Sequence, residues 1–265
     1  MKRAIFSLFM GDVCDNESSP DNHWKPGSGR QYVELYDDIT SNHTQYANDV
    51  NATYMLASNT AEWQEFKRHM LSKYPWISMY NVINYFKFYM AEKLVKTYDQ
   101  VLYVDFDAFF NTKQNFFDHH WFDKYNAWIT PMPVSPSKEA SWNADVGVPK
   151  LRLRKAYLIQ EALQHIGIDP FEVDLFMINC GVMGFNKKTV TLLNFWDTFT
   201  EIMPLLSHHQ DDCVDSEVVF AVAAIRNNLS IKCLDVDWNY RAKTPPFTGK
   251  ICHFTNKEHM KNFFV

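Results

Sequence analysis

The sequence contains no run of ~18 apolar residues, the length a membrane-spanning helix needs, so nothing in it reads as a transmembrane segment. It has no CxxC pair and no zinc-type spacing among its five cysteines, Cys14, Cys180, Cys213, Cys233 and Cys252. Scattered thiols in odd number fit a reduced, cytosolic-type protein rather than a disulfide framework. It has no basic excess. Lys and Arg number 26 against 31 Asp and Glu, a formal net charge of -5. That balance disfavours global electrostatic binding to DNA, RNA or an anionic membrane. No internal repeat or low-complexity segment is visible. The N-terminal MKRAIFSLFMGD holds an apolar run of only about seven residues, with no small-residue cleavage site after it. It reads as a first strand rather than a signal peptide, and the expectation is a soluble, cytoplasmic chain.

What is present is a chain of 265 residues, enough for one large domain or two small ones. Hydrophobic residues (46%) and charged residues (22%) are at ordinary levels, whereas aromatics are high at 16%. A dense core, a stacking surface for sugars or bases, or both would use them. Residues 3 to 10 predict a buried strand stopped by Gly11, and residues 12 to 29 a loop. A helix is expected from about Arg30 to Ala47 and a second strand over 52 to 58. AEWQEFKRHMLSKY has helical spacing, with Trp63, Phe66, Met70 and Leu71 on one side, and Pro75 breaks it. A longer helix from about Ser78 to Tyr98 leads into the strand VLYVDF. Residues 111 to 150 read as an irregular loop marked by Pro131, Pro133 and Pro136. Residues 171 to 188 read as two strand pieces with a glycine-containing bend. Helices over 189 to 203 and about 214 to 227, and late strands SIKCLDVD and KICHFTN, complete the chain. Strands alternating with helices predict a single α/β domain over 1-265, with a mostly parallel central sheet flanked by helices. Ligands in such sheets bind beyond the carboxyl ends of the strands.

Asp105 and Asp107 stand at such an end. Alternate side chains of a strand share a face, so a D-x-D pair brings two carboxylates together. A divalent cation such as Mg²⁺ or Mn²⁺ relieves their repulsion, and so does solvation in a turn. Asn179-Cys180-Gly181-Val182-Met183-Gly184-Phe185-Asn186 places two glycines in a strand-like run, a sign of close approach by a ligand or by another strand. Asp211 to Glu217 is an acidic cluster opening a helix, where acids complement the helix dipole. His253 ends a late strand, as a metal ligand or as a hydrogen-bonded polar residue. The basic run Lys150 to Lys155 reads as the solvated face of a helix start. Alternatively, Lys150, Arg152, Arg154 and Lys155 make a local phosphate contact.

Singly these motifs are weak, but their order is not. An apolar first strand is followed by YDQVLYVDFDAFF, NCGVMGFN, DSE at a helix start, WNYR, and a CHF strand trailed by lysine. This order resembles the GT-A fold of nucleotide-sugar glycosyltransferases. It looks most like the retaining family 8 type, which includes glycogenin and bacterial lipopolysaccharide galactosyltransferases. The resemblance runs from about residue 3 to 257, thinly between motifs. It implies a Rossmann-like GT-A domain that moves a sugar, with retention, from a nucleotide-diphosphate donor, usually UDP-linked, to an acceptor. By resemblance Asp105, Asp107 and His253 bind Mn²⁺ or Mg²⁺, and Asp105 also lies near the donor ribose. Ser7 to Gly11 and Asp12 cradle the nucleobase and ribose, and Asn179 and Gly181 line the donor sugar. Lys87 is a basic residue near the donor, or else a helix-surface lysine. Asp215 aligns with the acid of the family's D-Q segment and is the candidate for stabilising the cationic sugar face, with Ser216 standing where the glutamine is usual. Lys257 meets the diphosphate. The family's H-x-x-G-x-K-P-W is matched only by His253 and approximately by Lys257, since this chain reads HFTNKEHM.

Two other readings stay open: a non-catalytic nucleotide-sugar-binding module, and a sugar-1-phosphate nucleotidyltransferase. The second requires a glycine-rich, Arg- and Lys-containing loop after the first strand, where this chain has the acidic GDVCDNESSPDNHWKPG. The acceptor is open among glycan, protein, lipid-linked sugar and a modified DNA base, so nucleic acid enters only as an acceptor.

Overall fold

A computed structural model describes residues 1–10, 28–119, 127–132, 148–209, 216–242, 245–254 and 257–264. In chain order the elements begin with β1 (Arg3–Leu8), α1 (Ser28–Glu34), α2 (Tyr36–Asp49), β2 (Thr53–Ala57), α3 (Ala61–Lys73) and α4 (Met79–Leu94). Next come β3 (Gln100–Val104), β4 (Ala108–Phe110), α5 (Phe116–His119), β5 (Ala127–Met132) and α6 (Val148–His165). The remainder is β6 (Met177–Asn186), α7 (Lys187–Leu193), α8 (Phe195–Leu206), α9 (Ser216–Arg226), β7 (Ile231–Cys233), β8 (Tyr240–Arg241) and β9 (Ile251–His253). Short 3₁₀ turns span Val236–Asn239 and Lys257–Phe263.

Six strands form the main sheet in the order β2-β1-β3-β6-β5-β7. Only β6 runs against its neighbours β3 and β5; the β1–β2, β1–β3 and β5–β7 pairs are parallel. The sheet is mostly parallel, as the alternation predicts. Its inner strands β1, β3 and β6 are buried on both faces, which explains their apolar runs. Ala4, Phe6, Val101 and Tyr103 join one hydrophobic cluster with α3, α4, α8 and α9. Ile5, Leu102 and Val104, their alternates along the same strands, join a second with α2 and α5. A smaller sheet, β4-β9-β8, stands beside the first. The largest fully buried side chains, Trp63, Tyr85, Phe86 and Trp238 among them, are all aromatic, so much of the aromatic surplus is core.

Helix starts follow local chemistry. Thr60 caps α3 by accepting from Trp63 N, and Ser78 caps α4 by accepting from Asn81 N. Asn186 and Thr189 form a reciprocal capping box at α7. Several boundaries differ from those expected; SIKCLDVD, for one, is a strand only over Ile231–Cys233. The helix expected over 30 to 47 is divided at Leu35. The one expected over 189 to 203 is divided at Asn194, whose left-handed φ of 45° starts a new axis. The stretch 171 to 188 forms one continuous strand, not two pieces, over Met177–Asn186. The segment 111 to 150 is not wholly irregular: it supplies β5, with a register shift between Ile129 and Thr130. Among the described residues no helix is long and apolar enough to cross a membrane.

Where α2 packs behind β1 and β4, His43 is fully buried. Its Nε2 lies 2.7 Å from the Ala108 carbonyl and its Nδ1 3.1 Å from Ser7 Oγ. Burial, only partly opposed by the Ala108 hydrogen bond, lowers its pKa from 6.5 to about 4. The unfolded chain therefore binds this proton before the folded one does. Stability is full above pH 6.5 and falls by roughly 3 kcal/mol as pH drops from 6.5 to about 4. Urea unfolding at pH 7.5 and 4.5 checks this, and His43→Gln should flatten the difference. Parallel losses in both proteins would assign the acid sensitivity elsewhere.

Candidate functional site

The site begins where β3 ends. Val104 is its last strand residue. Asp105 N donates to the Gly181 carbonyl at 2.7 Å, and Ala108 N donates back to the Asp105 carbonyl at 3.0 Å. The two aspartates thus flank a tight turn between β3 and β4. This corrects the strand-alternation argument: turn geometry, not the pleat, brings the carboxylates together. Phe106, between them, anchors the turn by packing on Phe9 and Tyr36. β4 pairs with β9 so that Ala108 lies opposite His253, and Phe254 N donates to the Asp107 carbonyl at 2.9 Å. The pairing carries His253 to the aspartates: its Nε2 is 3.6 Å from Asp105 Oδ2 and 3.4 Å from Asp107 Oδ1. One ligand atom from each of the three residues lies within 4.8 Å of the others. Two carboxylates and an imidazole, drawn from a turn and a strand end, are a donor set that suits Mn²⁺ or Mg²⁺. The residues fit the cation that the family resemblance implies.

Lys87 enters from α4. It is 6% exposed, so it is not a surface lysine. Its Nζ lies 3.0 Å from Asp105 Oδ1 and 4.9 Å from the centroid of the Tyr103 ring. Tyr103 OH donates to the same carboxylate oxygen at 2.5 Å. Burial opposes ionisation of Asp105, but the Lys87 ammonium, His253 and the Tyr103 and Lys87 hydrogen bonds outweigh it and hold the carboxyl below its usual range. Burial likewise opposes the Lys87 charge, but Asp105, with Cys180 and Tyr80, outweighs it, so its pKa is raised. Tyr103 escaped the sequence reading, although it stands two residues before Asp105 in the strand.

Gly181 explains one of the two glycines in β6. A Cβ there would lie 2.4 Å from His253 Cε1, 2.8 Å from its Nδ1 and 2.9 Å from Asn179 Oδ1. What approaches the strand backbone closely is the His253 ring. Asn179 Oδ1 accepts from Gly181 N at 3.1 Å and from Asn239 Nδ2 at 2.7 Å. Asn239 Oδ1 in turn lies 2.9 Å from His253 Nδ1. Asn239 belongs to the WNYR stretch, whose role the sequence leaves open.

No protein-family model matches this chain, and no curated protein matches it by sequence. Solved structures do. Mouse xyloside xylosyltransferase 1 in its apo form superposes over 97% of this chain and 98% of its own, with a TM-score of 0.52 at 12% identity. The apo structure of the bifunctional glycosyltransferase WbbM superposes over 96% of this chain and 46% of its own, also with a TM-score of 0.52 at 12% identity. The chain has the GT-A fold. Of the remaining expected residues, Ser7 and the backbone of Lys257 fall within the described part. Ser7 on β1 is fully buried, its hydroxyl directed to His43 rather than to a surface. Gly11, Asp12 and Asp215 lie outside the described residues. Lys257 opens the last 3₁₀ turn, and its side chain lies outside them too.

The flank of the GT-A site holds a further pair. Lys155 Nζ lies 2.5 Å from Glu217 Oε2, and Glu217 Oε1 accepts from Cys180 N at 3.1 Å. Lys155 is 8% exposed, so the solvated-face reading of the basic run fails at this residue. It also leaves Lys155 facing a carboxylate rather than a phosphate. Arg154 is exposed; the Lys150 and Arg152 side chains lie outside the described residues. Glu217 does more than complement a helix dipole, since it ties α6 and α9 to the strand that carries Asn179 and Gly181.

Proposed function

We propose that the chain is a divalent-metal-dependent glycosyltransferase that takes a sugar from a UDP-linked donor and passes it to an acceptor with retention. The observation that carries this reading is the Asp105–Asp107–His253 cluster beyond the carboxyl end of β3 on a GT-A fold. A sugar–diphosphate bond breaks as negative charge builds on the leaving diphosphate. A bound Mn²⁺ or Mg²⁺ supplies electrostatic stabilisation of that charge. Asp105, Asp107 and His253 hold the ion. Lys87 fixes Asp105, and with it the end of the carboxylate pair that faces the donor ribose. Lys257 adds a second positive charge at the diphosphate. Gly11, Asp12 and the β1 backbone at Ser7 cradle nucleobase and ribose, the Ser7 side chain being occupied by His43. Asn179 and Gly181 border the donor sugar, and Asp215 stabilises its cationic face. The same reading takes residues 1–265 as one domain, and the thiols of Cys233 and Cys252 suit a cytoplasmic setting.

Thermal unfolding with nucleotide sugars, with and without Mn²⁺, tests it. The right UDP-sugar together with Mn²⁺ should raise the midpoint by roughly 5–10 °C at about a hundredfold excess over Kd. Asp107→Ala should remove the Mn²⁺-dependent part of that rise. A rise that survives the substitution would place the metal elsewhere. Nucleotide binding with no Mn²⁺-dependent turnover of donor, alone or with an acceptor panel, would favour a binding module.

A further inference from the structure

Resting on the metal-binding reading above, we infer that Asn239 and Asn179 form a relay that fixes the protonation pattern of His253, anchored at the backbone amide of Gly181. The inference follows from donor and acceptor identity alone. A backbone N–H can only donate. Gly181 N lies 3.1 Å from the Asn179 side chain, so the atom it meets is Oδ1. That oxygen can only accept, so the Asn239 atom 2.7 Å from it is Nδ2. The other Asn239 atom is therefore Oδ1, an acceptor. His253 Nδ1, 2.9 Å from that oxygen, must carry a proton. A neutral His253 is then left with its lone pair on Nε2, the nitrogen 3.4 Å from Asp107 Oδ1 and 3.6 Å from Asp105 Oδ2. No proton rearrangement is needed for Nε2 to act as a ligand.

Asn239 is 2% exposed and His253 6%, so bulk water does not compete for these bonds. The relay also has a geometric effect. The His253 ring is seated on Gly181, where even a methyl group would collide, and Asn239 grips its far nitrogen. Two contacts thus fix the ring plane, and the chain of amides ties that plane to β6. Asn239 is a positioning residue: it acts on a bound cation only through His253. Asn179 has a second consequence. Its oxygen already accepts two hydrogen bonds, so toward a donor sugar it presents its Nδ2 as a hydrogen-bond donor.

The test uses the whole chain with ¹⁵N-labelled histidine, the His253 signals being identified by their loss in His253→Gln. Wild type at pH 8 should show Nδ1 protonated whatever the state of Nε2, which faces Asp105 and Asp107. Asn239→Leu should lose that preference and weaken binding of Mn²⁺ alone, measured calorimetrically, by roughly 10–100-fold. Asn239→Asp keeps an acceptor for Nδ1–H, so it should restore the Nδ1 proton, although its second oxygen can no longer donate to Asn179 Oδ1. A merely structural role predicts no such rescue. Wild type with a bare Nδ1 overturns the relay without any variant. So does an Asn239→Leu protein with the wild-type tautomer and Mn²⁺ affinity. If wild type binds no Mn²⁺, the proposed function fails, while the tautomer readout still decides the relay.

Discussion

Gly181→Ala is expected to unfold at a lower urea concentration and to lose most of its affinity for Mn²⁺. The reason is space. The new Cβ would stand 2.4 Å from His253 Cε1 and 2.9 Å from Asn179 Oδ1. Neither neighbour is the far end of a flexible chain. His253 is held by β4 pairing on its backbone and by Asn239 on its ring. Asn179 sits two residues away on the same strand, held by Gly181 N itself. Overpacking of this kind costs about 1–3 kcal/mol. The larger effect should fall on the ligand set, because the ring has to tilt away from Asp105 and Asp107. A fall in Mn²⁺ affinity of roughly tenfold or more is expected, the scale seen when the support of a metal-binding histidine is removed. Urea titration and calorimetry without denaturant separate the two effects. Unchanged Kd and unchanged midpoint together would mean that the ring does not rest on the strand.

What the sequence reveals and what it hides follow one rule. Patterns of period 2 or 3.6 and short polar signals are local, and they are enough to mark β1, β2, α3, α4 and β3. The D-x-D pair stands out because the largely apolar run VLYV precedes it. Yet the turn that aims the carboxylates depends on a bond from Asp105 N to Gly181 O, 76 residues downstream, and no local pattern encodes that. β5 is hidden for the opposite reason. AWITPM contains Pro131, which argues against a strand inside a sheet, and the register shift beside it is what accommodates it. The glycines of β6 suggest a bend, whereas Gly181 gives room to a ring from β9. Lys87 carried a usable signal: it lies between Phe86 and Phe88 in a helix that buries ten residues. A lysine in such a helix needs a buried partner. Lys155 carried none, because its neighbours Lys150, Arg152 and Arg154 read as surface.

That last residue leads to the second large effect. Lys155→Met and Glu217→Gln are each expected to destabilise the protein by about 3–5 kcal/mol, the usual cost of removing one member of a buried ion pair. The pair qualifies as buried, since the side chains are 10% and 15% exposed and the charged atoms lie 2.5 Å apart. In Lys155→Met the Glu217 carboxylate keeps the Cys180 amide but loses the Lys155 ammonium. In Glu217→Gln the Cys180 amide can still find an acceptor, and the lysine loses the Glu217 charge. Lys155→Met should therefore disturb β6 through a carboxylate seeking water, and Glu217→Gln should leave β6 better held. The double variant removes both charges from the interior. It should be more stable than the sum of the single losses predicts, with a coupling of about 1–3 kcal/mol in a double-mutant cycle. Urea unfolding of the four proteins measures it. Strict additivity would show that the two charges do not sense each other in solution, and that Glu217 holds Cys180 independently of Lys155.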